Sequence, residues 1–356
     1  MFEKVILIMR STRVLAGILA ATLTVSLAAC SQDSTSSQTS QSSEAGSDVS
    51  NEAFPVTIEH AFGETTIEAK PERIATIGWS NHEVPLALGQ VPVGFEKVTW
   101  GDDDDNGMLP WVEDALNELG GEEPVLFDAT DSIPFEEVAN TAPDVILASY
   151  SGITQEDYDQ LSQIAPVVAY PELAWGTSLD DMIEMNSKAM GLEQEGKDLI
   201  ADLDEQVAAA MDANPELKDA KPVFAFFDES DFSQIGVYTS VDPRMGFLLD
   251  AGVQEAEVLK QFSGSDSFYE QVSAENPETF DDVDVIVTYG TEDEAANAEL
   301  LSKMQADPLL SRIPAIADGK VVFLGANPLA ASANQSPLSI SWGIDEYLAK
   351  IAEPLK

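Results

Sequence analysis

The alternation of apolar and polar positions divides the chain into three regions. Val14 to Leu27 is almost continuously apolar, broken only by Gly17, Thr22, Thr24 and Ser26. Ser31 to Ser50 is nearly all Ser, Gln, Thr, Asp, Glu, Gly and Ala. Such a stretch cannot bury a core and reads as a flexible tether, with a random-coil reach of roughly 25 Å. From Phe54 onward, short apolar runs alternate with amphipathic ones. Val56–His60 and Thr65–Glu68 alternate as strands about a Phe62-Gly63-Glu64 turn. Arg73–Ile77, Asp144–Ala148, Val167–Tyr170, Val223–Phe227, Val283–Tyr289 and Lys320–Leu324 read as buried strands, and a further strand starts at Val91–Gly94. Glu83–Leu88, Gln155–Ile164 and Ser336–Ile351 read as helices. Strands alternating with helices predict an α/β fold built on parallel sheets.

Between residues 178 and 214 the strand signal disappears. Leu199, Leu203, Val207 and Met211 lie four apart on one helical face, and Asn214-Pro215 ends the run. Glu193 to Ala213 is therefore a helix of about 32 Å. A weak internal echo flanks it. Glu136 precedes the Asp144 strand, and Glu275 precedes the Asp284 strand. The glutamates are 139 positions apart and the aspartates 140. Two similar lobes joined by one long helix follow, with a ligand cleft expected between them. The boundaries are a leader at 1–29, the tether at 30–52, an N-terminal lobe at 53–190, the bridge at 191–214 and a C-terminal lobe at 215–356.

Charge narrows the function. The 356 residues hold 17 Lys+Arg against 64 Asp+Glu, a net charge of −47, which repels phosphate backbones and argues against nucleic-acid binding. One Cys and two His leave no internal disulfide and no Cys- or His-rich metal centre. Lys4, Arg10 and Arg13 precede the apolar run, and Leu27-Ala28-Ala29-Cys30 closes it, the layout of a secretory signal with Met1 or Met9 as its start. The run is short for a membrane-spanning helix. Residues 1–29 hold three bases and one acid (Glu3), so the rest carries 14 basic and 63 acidic residues, net −49. Its only arginines are Arg73, Arg244 and Arg312.

Catalytic motifs are missing: there is no G-x-G-x-x-G, P-loop, H-E-x-x-H or G-x-S-x-G. His60 reads as a surface strand residue and His82 as a residue leading into a helix. Asp102–Gly107 with Glu113 fits a calcium-loop pattern, which competes with a solvated acidic turn. Aromatic residues gather where strands end: Trp79, Trp100, Tyr150, Trp175, Phe227, Tyr238, Tyr269 and Tyr289. Ligands of α/β layers sit beyond the carboxyl ends of strands, so these residues are candidate cleft walls. Arg244, in Asp242-Pro243-Arg244-Met245-Gly246, is the candidate for gripping an anionic or oxygen-rich ligand.

Pro71–Ala75, Gly78–Ser80, Leu86–Gly94, Leu109–Val112, Ala148–Thr154, Asp242–Gly246, Asp307–Ser311 and Ser336–Ser339 together resemble the iron-siderophore substrate-binding lipoproteins of ABC importers, most of all the actinobacterial type. The resemblance runs from about Phe54 to the C-terminus. It implies a class III periplasmic binding protein fold, two Rossmann-like lobes bridged by a single long helix, with limited closure. It implies a monomer that binds a ferric siderophore without enzymatic activity, the iron held by the siderophore and no protein metal site or other cofactor. It implies that Glu136 and Glu275 dock an ABC permease, which works with its ATPase. Leu27–Cys30 resembles a lipobox, implying a lipid on Cys30 and anchorage at the outer face of the cell membrane. The strong negative charge suits a neutral or cationic hydroxamate better than an anionic catecholate. Haem or a corrinoid in the same fold is an alternative ligand. An extracytoplasmic hydrolase and a structural wall lipoprotein are alternatives of other classes.

Overall fold

The computed structural model describes residues 54–356. The signal segment 1–29, Cys30 and the tether 30–52 lie outside them. A hairpin of β1 (Val56–His60) and β2 (Gly63–Ile67) leads into the N-terminal sheet. That sheet contains β3 (Ile74–Thr76), β4 (Gly94–Glu96), β5 (Val125–Phe127), β6 (Val145–Ala148) and β7 (Val167–Ala169). Its order is β5-β4-β3-β6-β7, and every pair is parallel. The connections carry α1 (Glu83–Ala87), α2 (Pro110–Leu119), α3 (Phe135–Asn140) and α4 (Gln155–Leu161). Strands β3, β6 and β7 are buried at every position because helices and loops cover both faces.

After α5 (Leu179–Ala189), the long helix α6 spans Glu193–Ala213, as the four-residue spacing predicts. Leu203, Ala210 and Met211 are buried along it. Asn214 then turns its Nδ2 back to the Ala210 carbonyl, and Pro215 prevents continuation.

The second sheet contains β8 (Pro222–Asp228), β9 (Asp231–Tyr238), β10 (Tyr269–Ser273), β11 (Val285–Thr288) and β12 (Val321–Phe323), in the order β10-β9-β8-β11-β12. Here the parallel expectation holds for β8, β11 and β12 only; β9 and β10 are antiparallel. The reason is local. Asp228 accepts from the backbone N–H and hydroxyl of Ser230 and closes a tight turn that sends β9 straight back along β8. Helices α7 (Pro243–Asp250), α8 (Glu257–Lys260), α9 (Glu294–Ala306), α10 (Pro314–Ala317) and α11 (Pro328–Ala331) complete this lobe. The last helix, α12 (Pro337–Ala352), packs on α6 and also reaches α1 and α2 of the first lobe.

The internal echo has a structural counterpart. Asp144, before β6, accepts from the backbone N–H groups of Glu72 and Arg73, before β3. Asp284, before β11, accepts from the backbone N–H of Lys221, before β8. In each lobe the same kind of carboxylate clamps the start of the neighbouring parallel strand.

Candidate functional site

The strand ends of the first lobe are stitched by one buried amide. Asn81 donates through Nδ2 to the carbonyls of Ile77 (2.9 Å) and Tyr150 (2.8 Å), and its Oδ1 accepts from the Tyr150 N–H (3.2 Å). It thereby fixes the loop after β3, carrying Trp79, against the loop after β6, carrying Tyr150. The two loops meet closely at Gly78, where a Cβ would lie 2.5 Å from the Tyr150 carbonyl oxygen. Thr177 Oγ1 donates to the Ser149 carbonyl (2.6 Å) and draws in the segment that carries Trp175. The Trp175 ring lies against Gly152 and edge-on to Tyr150, ring centroids 5.4 Å apart.

The second lobe presents an aromatic sheet face. Register places Tyr238 opposite Tyr269, and Gly236 opposite Phe226. Phe224 packs on Tyr238 (5.4 Å) and Tyr289 (5.2 Å), and Phe226 packs on Tyr238 (5.5 Å) and Tyr269 (5.2 Å). Gly236 makes room for this: a Cβ there would lie 2.1 Å from the Phe226 ring. The structure does not bring Phe227 to this group. It is paired with Ile235 on the opposite face of β8, because side chains alternate along a strand.

Arg244 sits on top of the aromatic face, in the first turn of α7. Asp242, 1 % exposed, caps that helix through the Arg244 N–H and also takes the guanidinium side-on. Nε reaches Oδ1 at 2.7 Å and Nη2 reaches Oδ2 at 2.5 Å. The guanidinium carbon lies 4.0 Å from the Tyr238 ring centroid, and Nη1 lies 3.4 Å from the Tyr289 hydroxyl. Burial alone would weaken the charge, but the Asp242 hydrogen bonds outweigh it and hold the group firmly protonated. Two of its five N–H groups have no partner among the described residues, so an oriented donor edge is left for a ligand oxygen.

The lobes meet around this wall. Trp100 of the first lobe, 39 % exposed, stands edge-on to Tyr289 of the second at 5.1 Å. Tyr150 Oη accepts from Asn334 Nδ2 (2.8 Å). Burial pushes the Tyr150, Tyr238 and Tyr289 hydroxyls up, so all three stand as neutral phenols at ordinary pH. Deeper in, the fully buried Glu83 joins the lobes: it accepts from the Ser336 hydroxyl, the Leu338 N–H (3.2 Å) and Trp111 Nε1 (3.0 Å). Desolvation raises its pKa to about 7 despite these donors. Trp79 is half-buried and packs against the cores of both lobes. Of the nine cleft candidates, Trp79, Trp100, Tyr150 and Tyr289 make contacts between the lobes, Trp175 packs on Tyr150, and Tyr238, Tyr269 and Arg244 cluster on the second lobe. Asn81, Glu83, Phe226 and Asn334 escape sequence reading, since their roles depend on partners far along the chain.

Both histidines are buried. His82 stacks on Phe95 (4.3 Å, 8°), with burial depressing its pKa to about 3. His60, expected on the surface, is 7 % exposed, because Phe62 and Tyr158 pack on its ring and Thr65 bonds its Nε2 (2.9 Å). The Asp102–Gly107 loop is a capped turn. Asp102 accepts from the backbone of Asp104 and Gly107, and Glu113 pairs with Asn106 instead of joining the Asp102–Asp104 cluster. Glu136, in the first turn of α3, and Glu275, just after β10, are both exposed.

Residues 74–328 match a family described as periplasmic binding protein. The chain is 45% identical to PiaA of Streptococcus pneumoniae, solved in complex with ferrichrome, over 84% of this chain and 98% of that one, with a TM-score of 0.78. It is 32% identical over 184 residues to a probable siderophore-binding lipoprotein, YfiY, of Bacillus subtilis, a match spanning 51% of this chain and 50% of that one. Staphylococcus aureus SirA, solved with staphyloferrin B, shares the fold at 24% identity and a TM-score of 0.63, over 83% and 98% of the two chains.

Proposed function

The chain belongs to the periplasmic binding protein family, and from that premise we propose that it captures a ferric siderophore outside the cytoplasm and delivers it to the permease of an ABC importer. The observation that carries this reading is the interlobe wall of Arg244, Tyr238, Tyr289 and Trp100, a fixed donor edge set among aromatic faces. Such a wall grips a bulky chelate through the oxygens and carbon skeleton of its ligand shell and needs no bond from protein to iron. The likeness to PiaA, whose complex contains ferrichrome, supports a ferric hydroxamate as the chemotype. The net charge of −49 beyond residue 29 works in the same direction, since it disfavours an anionic catecholate complex.

The protein acts by binding and not by turnover. Both imidazoles are buried in packing roles, so neither serves a nucleophile in the cleft. Lipidated Cys30 holds the chain at the outer membrane face, and residues 31–50 give it reach. Exposed Glu136 and Glu275, one on each lobe, dock basic pockets of the permease. The test is equilibrium dialysis of the purified chain against a ferric trihydroxamate, read from the visible ligand-to-iron band. One complex retained per chain is expected. No retention of any ferric hydroxamate, catecholate, haem or corrinoid would overturn the reading.

A further inference from the structure

The aspartate clamp at the start of each sheet has a second half. In the first lobe, Arg73 and Asp144 are joined twice: the Arg73 N–H donates to Asp144 Oδ2 (3.0 Å), and the Asp144 N–H donates to the Arg73 carbonyl (2.7 Å). In the second lobe, Lys221 and Asp284 repeat both bonds, at 2.9 and 3.1 Å. The side chain of each base then reaches the residue two positions before its aspartate. Arg73 Nε donates to the carbonyls of Thr141 (3.1 Å) and Ala142 (3.0 Å), and its Nη2 also donates to Thr141. Lys221 Nζ donates to Asp282 Oδ2 at 2.8 Å. Arg73 immediately precedes β3 and Lys221 immediately precedes β8, the first strands of the two five-stranded sheets.

These side chains grip the two segments that carry the exposed glutamates. Glu136 lies eight positions before Asp144, in the first turn of α3, and Glu275 lies nine positions before Asp284. Helix α3 is six residues long and has one buried residue, Val138, which seats the helix without fixing its tilt. Thr141 caps the far end of α3, and Arg73 takes the carbonyls there, where a helix favours a cation. Ala142 stands at φ +46°, a conformation that side-chain-bearing residues rarely adopt, and Arg73 holds its carbonyl. In the second lobe, Glu275 opens a run that passes through a short helical turn, Pro277–Phe280, seated by those two buried residues. The run ends at Asp282, which accepts from Lys221 and from the Glu257 N–H (3.1 Å), tying it to β8 and α8. The use made of Arg73 is selective. The chain beyond residue 29 holds 63 acids, yet Arg73 forms no ion pair among the described residues and directs its guanidinium at carbonyls.

We propose that Arg73 and Lys221 are a matched pair of positioning residues for delivery to the permease, each bracing, from the first strand of its sheet, the segment that presents a docking glutamate. The inference rests on the docking reading of Glu136 and Glu275. Two glutamates on separate lobes meet two pockets of one partner only if their spacing is held, and bracing both segments to the sheets holds it before contact. Neither base touches the cleft residues, so the brace acts on delivery and not on capture.

The test is uptake of a ferric trihydroxamate with radiolabelled iron by cells whose only receptor is the full chain or a variant, expressed over a range of amounts. The purified chains are titrated with the same complex. Arg73→Lys keeps the charge but lacks the planar fork that serves two carbonyls. Combined with Lys221→Met, it is expected to raise the amount of receptor needed for half-maximal uptake by about tenfold. The maximal rate and the affinity for the complex stay at parental values, which a general loss of folding would not allow. Lys221→Arg, whose guanidinium still pairs with Asp282, behaves as the parent. Charge attraction alone predicts the opposite sign for Lys221→Met, since a more negative face draws a basic pocket more strongly; a lowered half-maximal amount therefore overturns the proposal. So does siderophore affinity that falls in step with uptake. If Glu136→Ala/Glu275→Ala abolishes uptake while Arg73→Lys/Lys221→Met transports as the parent does, the brace is overturned and the docking reading stands. If the glutamate variant transports normally, the docking reading fails and the brace with it.

Discussion

Arg244 shows how one side chain is prepared before its ligand arrives. Asp242 is at once the cap of α7 and the guanidinium's anchor, so the donor edge is fixed by the same residue that starts the helix. Fixing the donor in advance lowers the ordering cost of binding. Arg244→Ala is expected to weaken ferric-siderophore binding by about 1–3 kcal/mol, read by titration, and to lower the melting temperature, because it strands the buried Asp242 carboxylate; unchanged affinity would remove Arg244 from the site. A second pair of neighbours sets a pH window. Glu83 has a folded pKa of about 7 against an ordinary 4.5, so its contribution to stability is full below pH 4.5 and is lost as the pH rises through 7. His82 has a folded pKa of about 3 against 6.5, so its contribution is full above pH 6.5 and is lost as the pH falls through 3. Their slopes cancel between pH 4.5 and 6.5, so melting temperature should be flat there and fall on either side. Glu83→Gln should remove the small alkaline fall, about 0.7 kcal/mol between pH 6.5 and 7, and turn the plateau into a rise of about 3 kcal/mol between pH 4.5 and 6.5, where His82 then acts alone. A variant profile that stays flat between pH 4.5 and 6.5 would contradict this assignment.

At the scale of elements, legibility followed the range of the interactions. Helix α6 is readable to its ends because its cause is local: apolar residues four apart and a stop at Asn214-Pro215. Buried strands such as β6 and β11 are readable for the same reason. The antiparallel strands β9 and β10 are not, since Asp231–Tyr238 mixes polar and apolar residues without clear alternation. Missing them cost the face of β8: the run Phe224–Phe227 does not say which phenylalanines look toward the tyrosines until β9 pairs beside it. The Glu83–Ser336 bond joins residues 253 apart, beyond the reach of any periodicity. The internal echo fared better, because Asp144 and Asp284 clamp equivalent strands. If the lobes also dock equivalently, Glu136→Ala/Glu275→Ala will leave siderophore affinity unchanged and abolish uptake of the iron complex by cells. Normal uptake by that double variant would end the docking role.

The described residues set two five-stranded sheets on either side of α6, with α12 packing on α6 and touching α1 and α2. Helix α6 has no glycine hinge in its middle, its one glycine being Gly196 in the first turn, packed on Ser187. Tyr150–Asn334, Glu83–Ser336 and Trp100–Tyr289 already span the lobes. On the proposed reading, recognition falls to a wall built in advance, with small adjustments of exposed Trp100 and Trp175 and no large closure. Those tryptophans report on the cleft directly. The decisive measurement is their fluorescence as the purified chain is titrated in parallel with a ferric hydroxamate, a ferric catecholate, haem and a corrinoid, each with its metal-free form where one exists. Saturable, submicromolar quenching by the ferric hydroxamate, weaker for its iron-free form and reduced in Arg244→Ala, is the predicted result. Saturable quenching by haem or the corrinoid alone, or by none of the four, would contradict the account.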